Sequence, residues 1–547
     1  MDNEIPIGKR TRLYRFFERL PAMASYGAII VLIVLSIVNP VLAAVYLLAI
    51  ILTMFVKVFG ITYHMVTGRN RMDRASQVVW SKRLGDLERP SASYARLRGK
   101  AGTAEVGFDQ HVENLRLVAA AEEGFFPKPS DIYNALIVPA YNESYEVIEP
   151  ALRSVLETTY DKQHLIVVFA YEERGGADMK ATAQRLKRTF GRHFHTFETV
   201  EHPKDIPNEV VGKGGNITYA GRWLQSYLEE QQIPFGNVIV TTMDCDNKPH
   251  KTYFDYLTYE YIVREDRKHL SYQPVCLFTN NIWDVPAPMR VVATGNSFWN
   301  IISSMRPHML RNFASHAQPM DALVEMDFWS VRTIVEDGHQ YWRSYFHFGG
   351  NYDVIPLHVP IYQDAVLSSS YTKTLKAQFV QLRRWAYGAS DVPFVGVRVF
   401  SRTRNVPFWG GFTRFVRLLD GHVTLACVSI LVAFGGWVPL ILNGEAARSV
   451  AVHQLPDTVS LLQRIAMLGI AVAIFTSFKL LPPKPARYKK SRNILMLLQW
   501  VLMPVTAIVY NSAAAFYSQT RLFFGKYLDK FDVTEKMIAE QTAKSRK

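Results

Sequence analysis

Two aspartates one residue apart, Asp244 and Asp246, directly follow the apolar, β-branched run Asn237–Met243. Hard carboxylate oxygens at that spacing suit Mg²⁺ or Mn²⁺ carrying a diphosphate. The run reads as a buried parallel strand, and in an open α/β sheet ligands bind beyond the carboxyl ends of the strands. Strand alternation would turn the two side chains apart, so a loop at the strand end must bring both to one ligand. Alone, the pair is equally compatible with a solvated turn or a helix cap.

Four other stretches carry compatible chemistry. Val138-Pro139-Ala140-Tyr141-Asn142-Glu143 ends an earlier strand in a proline-kinked loop that can stack on a nucleobase. Pro139, Tyr141, Asn142 and Glu143 are therefore candidate nucleotide contacts. Gly212-Lys213-Gly214-Gly215-Asn216 offers a glycine loop and one cation before a helix N-terminus, which suits phosphate, although it lacks the spacing and hydroxyl of a Walker A loop. Val335-Glu336-Asp337 ends an apolar stretch, and a carboxylate there can take the proton of an acceptor hydroxyl. In Gln381-Leu382-Arg383-Arg384-Trp385 the arginine can neutralise a departing diphosphate and the tryptophan can stack on an acceptor sugar.

These stretches need elements to hold them. Across 547 residues, 49% are hydrophobic and 20% charged, and the apolar excess is concentrated in blocks, as in a membrane protein. The net charge of +14 sits largely beside those blocks, and no basic-aromatic module stands out, so a bilayer rather than nucleic acid is the expected partner. Cys245, Cys276 and Cys427 have no metal-ligand spacing, and Cys245 and Cys276, which fall in the catalytic domain, fit a reduced, cytosol-facing domain.

In order, the chain divides into a basic interfacial segment (1–20), a transmembrane hairpin (21–66) broken at Asn39-Pro40, and a basic cytosolic linker (67–130). A catalytic α/β domain follows (131–368), in which strands alternate with helices at a spacing that predicts a parallel, Rossmann-like sheet. Interfacial amphipathic helices (369–415), C-terminal membrane helices (416–518) and a basic tail (519–547) complete it. His422–Leu442 and Val459–Leu481 read as spans, and Pro504 divides a third apolar block, Ile494–Phe516.

Taken together, the motifs resemble those of the membrane-integrated family 2 glycosyltransferases, the group of cellulose, chitin and hyaluronan synthases, whose signature is D, DxD, TED and QxxRW in this order. The match covers roughly residues 130–390. Phe531, Val533, Thr534 and Lys536 further match that group's FxVTxK gating loop. The resemblance implies a GT-A catalytic domain inserted between membrane helices, in a multi-pass protein of the plasma (inner) membrane with its catalytic domain in the cytosol. It implies metal and diphosphate at Asp246, ribose or phosphate at Asp244, nucleotide at Lys213, the base at Asp337 beside Glu336, and leaving group and acceptor at Gln381, Arg384 and Trp385.

Two positions depart from the signature. Glu172, in Phe169–Gly175, stands where the family places an aspartate against the nucleobase, and Val335 replaces the threonine of TED. A cytosolic gating loop also requires that Ile494–Phe516 be re-entrant or interfacial. The expected activity is inverting transfer from a nucleotide-diphosphate sugar, a UDP-sugar by resemblance, to a growing polysaccharide that is threaded through the helices. A glycolipid synthase and a non-catalytic membrane scaffold are the alternatives.

Overall fold

A computed structural model describes residues 4–100, 102, 105–444 and 449–528. Its α/β domain is built on a mixed sheet of strands β1 (Tyr133–Ala140), β2 (Leu165–Glu172), β3 (Thr196–His202), β4 (Val238–Thr242), β5 (Lys248–Pro249), β6 (Leu270–Leu277), β7 (Ala317–Pro319) and β8 (Asp353–Tyr362). Their order is β3-β2-β1-β4-β7-β6-β8-β5. The β3-β2-β1-β4 half is parallel, as the alternation of strands and helices predicts. Every residue of β2 is buried, which explains its unbroken apolar run.

Beyond β4 the sheet is mixed: β6 and β8 pair parallel, but the strand next to β4 reverses. β7 pairs antiparallel with β4 and with β6. The chain before it passes over the carboxyl ends of the strands, where Thr242 N–H donates to His316 O at 3.2 Å. A strand leaving from that end must run back the other way, and no crossover helix is needed. Helices Tyr145–Leu156 and Gly176–Phe190 cover one face of the parallel half, and Lys213–Glu230 covers the other.

The expected linker is no free tether. Trp80 stacks on Tyr256 at 3.9 Å, and Phe108, Val112 and Leu115 are buried in the same core as the sheet.

Among the described residues, four helical runs are long and apolar enough to cross a membrane: Arg12–Val38, Pro40–Gln77, Phe408–Leu442 and Arg492–Phe524. Asn39 caps the second, its Oδ1 accepting from Val41 N–H at 3.1 Å, so the predicted break is there. The boundary expected between an interfacial segment ending at residue 20 and a hairpin starting at residue 21 is not a break in the helix. The first helix starts at Arg12 and passes through Pro21, which removes one backbone hydrogen bond without ending a helix packed on both sides of that point. The second likewise continues past residue 66 into the basic stretch. Leu455–Leu480 forms the helix expected near Val459–Leu481.

Residues Arg492–Phe524 form one continuous run rather than two half-helices. Pro504 is absorbed by a 3₁₀ turn at Gln499–Leu502 and a π turn at Ala507–Ser512. Both ends of the run touch the α/β domain and its extension: Arg492 Nη2 donates to Trp283 O at 2.8 Å, and Leu528 N–H donates to Tyr387 Oη at 3.2 Å. The amphipathic helix Tyr371–Ala386 packs against its last part, with Phe379 edge-on to Tyr517.

Candidate active site

β4 ends at Thr242, and Met243 N–H donates to Ile137 O at 2.9 Å, fastening the exit of β4 to that of β1. The chain then turns, with Asn247 N–H on Asp244 O at 2.9 Å. This turn, rather than strand alternation, carries Asp244 and Asp246 to one cavity. Asp246 is buried, its Oδ2 accepting from Asp364 N–H at 3.3 Å, whereas Asp244 is partly open.

Lys213 faces this pair. The glycine loop expected over 212–215 is instead the start of the Lys213–Glu230 helix, and Gly214 and Gly215 lie in its first turn. Gly214 must be a glycine there, because a Cβ would stand 2.4 Å from Ser330 O. Lys213 Nζ lies 3.0 Å from Asp244 Oδ1, 3.1 Å from Asp337 Oδ2 and 3.6 Å from Glu336 Oε1. Burial alone would favour the neutral amine, but the three carboxylates outweigh it and hold the lysine charged, its pKa well above the usual range.

Glu336 and Asp337 open the Glu336–His347 helix, where the helix dipole favours negative charge. Burial, followed by the charge of Asp337, pushes the Glu336 carboxyl up to about 7. His316 Nδ1 is 3.7 Å from Asp337 Oδ1. Trp329 Nε1 donates to His316 Nε2 at 3.2 Å, so the ring carries its proton on Nδ1, beside Phe313 O at 2.9 Å. Burial keeps this histidine neutral, its pKa below the usual value.

Toward β1 and β2, Asn216 ties the strand exits together, its Nδ2 donating to Ala170 O at 3.0 Å. Pro139, Tyr141 and Glu143 line the cavity, but Asn142 is exposed and off its wall. Glu143 accepts from Tyr141 N–H at 2.8 Å and so shapes the loop. Glu172 is buried and occupied: Arg174 Nη2 donates to it at 2.6 Å, and His202 Nδ1 lies 3.4 Å away. His202 Nε2 is 3.0 Å from Glu209 Oε2. Burial would lower the pKa of His202, but hydrogen bonds to Glu172 and Glu209 outweigh it and raise it to about 9. Arg174 also lies over the Tyr141 ring at 5.3 Å.

On the far side, Gln381, Arg384 and Trp385 of the Tyr371–Ala386 helix line the same cavity, whose volume is about 480 Å³. Trp385 stands at its mouth, beside Phe278. Among the described residues no three His, Cys, Asp or Glu side chains form a ready-made metal centre. Phe531, Val533, Thr534 and Lys536 lie outside the described residues. Sequence reasoning missed Arg174, His202, Arg311 and Asp364. Arg174 sits inside the stretch singled out around Glu172, but nothing local marks the others as neighbours of this cavity.

No family model matches the chain, and no curated protein matches it. Solved structures similar to it are glycosyltransferases. One is the mannosyltransferase PcManGT from Pyrobaculum calidifontis, in complex with GDP-mannose and Mn²⁺, at 16% identity and TM-score 0.37, covering 82% of this chain and 98% of that one. Another is S. aureus TarS in complex with UDP, at 12% identity and TM-score 0.34, covering 74% and 94%. GalNAc-T7 with UDP, GalNAc and Mn²⁺ follows at 9% identity and TM-score 0.32, covering 55% and 59%. Superposition this loose defines neither fold nor activity, so the functional reading rests on the cavity itself.

Proposed function

We propose that the chain is an inverting, family 2-type glycosyltransferase that moves a hexosyl group from a nucleotide-diphosphate sugar to an acceptor at a membrane. One observation carries this reading: motifs from five separate stretches of chain, ending in Arg384 and Trp385, line a single cavity that also holds Asp244, Asp246, Lys213, Glu336 and Asp337. A solvated turn, a capped helix and a membrane anchor would have no reason to converge.

In this reading Tyr141 and Arg174 flank the nucleobase, and Glu172, engaged by Arg174 and His202, orients that arginine rather than meeting the base directly. Carboxylates outnumber lysines and arginines on the cavity wall, so an anionic diphosphate needs a further cation. Asp246 and Asp244 are hard oxygen donors that fit Mg²⁺ or Mn²⁺, with the remaining positions left to phosphate oxygens. When bound, the metal would neutralise the diphosphate. Asp337 takes the proton of the attacking hydroxyl, and Lys213, hydrogen-bonded to both of its oxygens, orients it. Arg384 stabilises the charge that gathers on the departing nucleoside diphosphate. One base and one stabilised leaving group suffice for inversion, unlike the two carboxylates of a hydrolase.

The acceptor reading that best suits QxxRW is a glycan stacked on Trp385, extended processively and passed among the helices, with a UDP-sugar donor. The described chain ends at Leu528 beside Val335 and Ile334. By the same resemblance Phe531, Val533, Thr534 and Lys536, which lie outside the described residues, would gate the donor, and this implies a cytosolic catalytic domain at the plasma (inner) membrane and an interfacial course for Arg492–Phe524. A second reading, transfer of one sugar to a lipid, draws support from Arg311.

The test is incorporation from a panel of labelled UDP- and GDP-sugars by membranes containing the protein with Mg²⁺ or Mn²⁺, products being separated by size and solvent extraction. Asp337→Asn is expected to cost about 10²–10⁴-fold in transfer while leaving nucleotide affinity unchanged. A variant as active as the native chain would remove Asp337 from the reaction, and absence of both labelled product and nucleotide binding would overturn the proposal.

A further inference from the structure

The cavity has a second electrostatic neighbourhood. Arg311 lines it, with its guanidinium 4.7 Å over the Trp342 ring. Among the described residues it makes no hydrogen bond and no ion pair. The carboxylate whose field reaches it, Asp391, is already taken by His339 Nδ1 at 2.7 Å. The donor-end acids Asp244, Glu336 and Asp337 act instead on Lys213. A half-buried guanidinium on a cavity wall with no hydrogen-bonded anion leaves its donors open to one, and burial pulls its pKa below the usual value. Cavities keep such a group when a ligand completes it.

The location says which ligand. Arg311 neighbours His422 on Phe408–Phe434, a helix that is part of a run long and apolar enough to cross a membrane, and Leu418 of the same helix also lines the wall. Trp299, exposed on the Ala287–Ser304 helix that packs against Pro40–Gln77, lines another side. The wall around Arg311 therefore includes a helix long and apolar enough to cross a membrane.

We propose that Arg311 is the recognition group for a phosphate on the acceptor, borne by a membrane lipid whose headgroup enters beside Leu418 and Trp299. A planar guanidinium pairs two phosphate oxygens at once, and its stack on Trp342 holds the fork in place before the ligand arrives. This rests on the second of the two glycosyltransferase readings above, transfer of one sugar to a lipid, and specifies that lipid.

The full-length protein in nanodiscs of uncharged lipid is titrated with a short-chain polyprenyl phosphate, the matching uncharged polyprenol and a soluble hexose phosphate. Binding is read by tryptophan fluorescence, and UDP and GDP affinity is measured on the same sample. The lipid phosphate is expected to bind at least about tenfold more tightly than the polyprenol, a charge-assisted hydrogen bond's worth. Arg311→Gln abolishes that preference with nucleotide affinity intact, and Arg311→Lys restores part of it. Equal affinity for phosphate and alcohol, or a preference that survives Arg311→Gln, overturns the proposal. Arg311-dependent binding of hexose phosphate without the lipid form overturns the lipid assignment. Nucleotide binding without acceptor-phosphate preference leaves the transferase reading standing and removes only this one, whereas an Arg311-dependent preference without nucleotide binding does the reverse.

Discussion

Asp244, from the turn after β4, and Glu336 and Asp337, from the start of a helix far along the chain, meet on one ammonium, that of Lys213. Removing it would leave three carboxylates facing one another, with Glu336 buried and Asp337 half-buried. Lys213→Met is therefore expected to be more damaging than loss of any single acid, and a double variant with Glu336→Gln should recover part of the stability, measurable as the melting temperature. His202 gives a second residue-scale expectation. Its folded pKa, near 9, lies above the ordinary value of 6.5, so its bridge between Glu172 and Glu209 is fully stabilising below pH 6.5 and is lost as pH rises through 9. That loss is at most about 3 kcal/mol. The native chain should lose melting temperature across that window, and His202→Gln should show a flat profile instead.

At the scale of elements, the Lys213–Glu230 helix is seated by absent side chains. Gly214 lies against Ser330 O, and Gly221 lies against the ring of Phe328, where a Cβ would stand 2.5 Å from Cδ1. The first neighbour is backbone and cannot rotate away. Gly214→Ala is expected to cost about 1–3 kcal/mol and to weaken nucleotide binding through displacement of Lys213, read by thermal unfolding and nucleotide titration. The same change at Gly295, which has open space around it, should be neutral or mildly stabilising. The Tyr371–Ala386 helix has a comparable dual role: its buried side packs on Ala513–Phe524 while Arg384 and Trp385 reach the cavity.

For the whole molecule, the α/β domain is fastened to the C-terminal apolar helices and the loop between them by polar contacts, of which those of Arg290 are buried. Asp284 accepts from Arg487 at 2.6 Å and from Tyr488 at 2.5 Å, and Trp283 Nε1 donates to Pro482 O at 3.0 Å. Arg290 is held by Gln499 and by Val285 O. A chain ending near residue 400 would expose these donors and the apolar faces they flank. Such a truncation is expected to aggregate or to unfold without a cooperative transition, whereas co-expression with the remaining C-terminal helices should recover a folded complex, as judged by size-exclusion chromatography in detergent. A soluble, cooperatively folding truncate would refute this coupling.

The sequence by itself determined what depends on local pattern. The apolar run before Asp244 had to be a buried strand, the helices flanking β1 and β2 followed from periodicity, and Asn39-Pro40 broke the first two apolar helices where a side-chain cap and a fixed φ allow a restart. The ordered motifs also pointed to one site, and most of the residues named for it do line one cavity. Tertiary structure decided what depends on distance through space. Whether Pro21 or Pro504 ends a helix is settled by the packing around it, not by proline alone. The antiparallel return of β7 follows from where the preceding chain happens to cross the sheet. Asn142 turns to solvent, and Glu172 is engaged not only by nearby Arg174 but by His202, thirty residues on, which β2–β3 pairing brings beside it. Arg311 could not be singled out from sequence, since an arginine's lack of a partner is a property of its surroundings and of no residue near it in the chain.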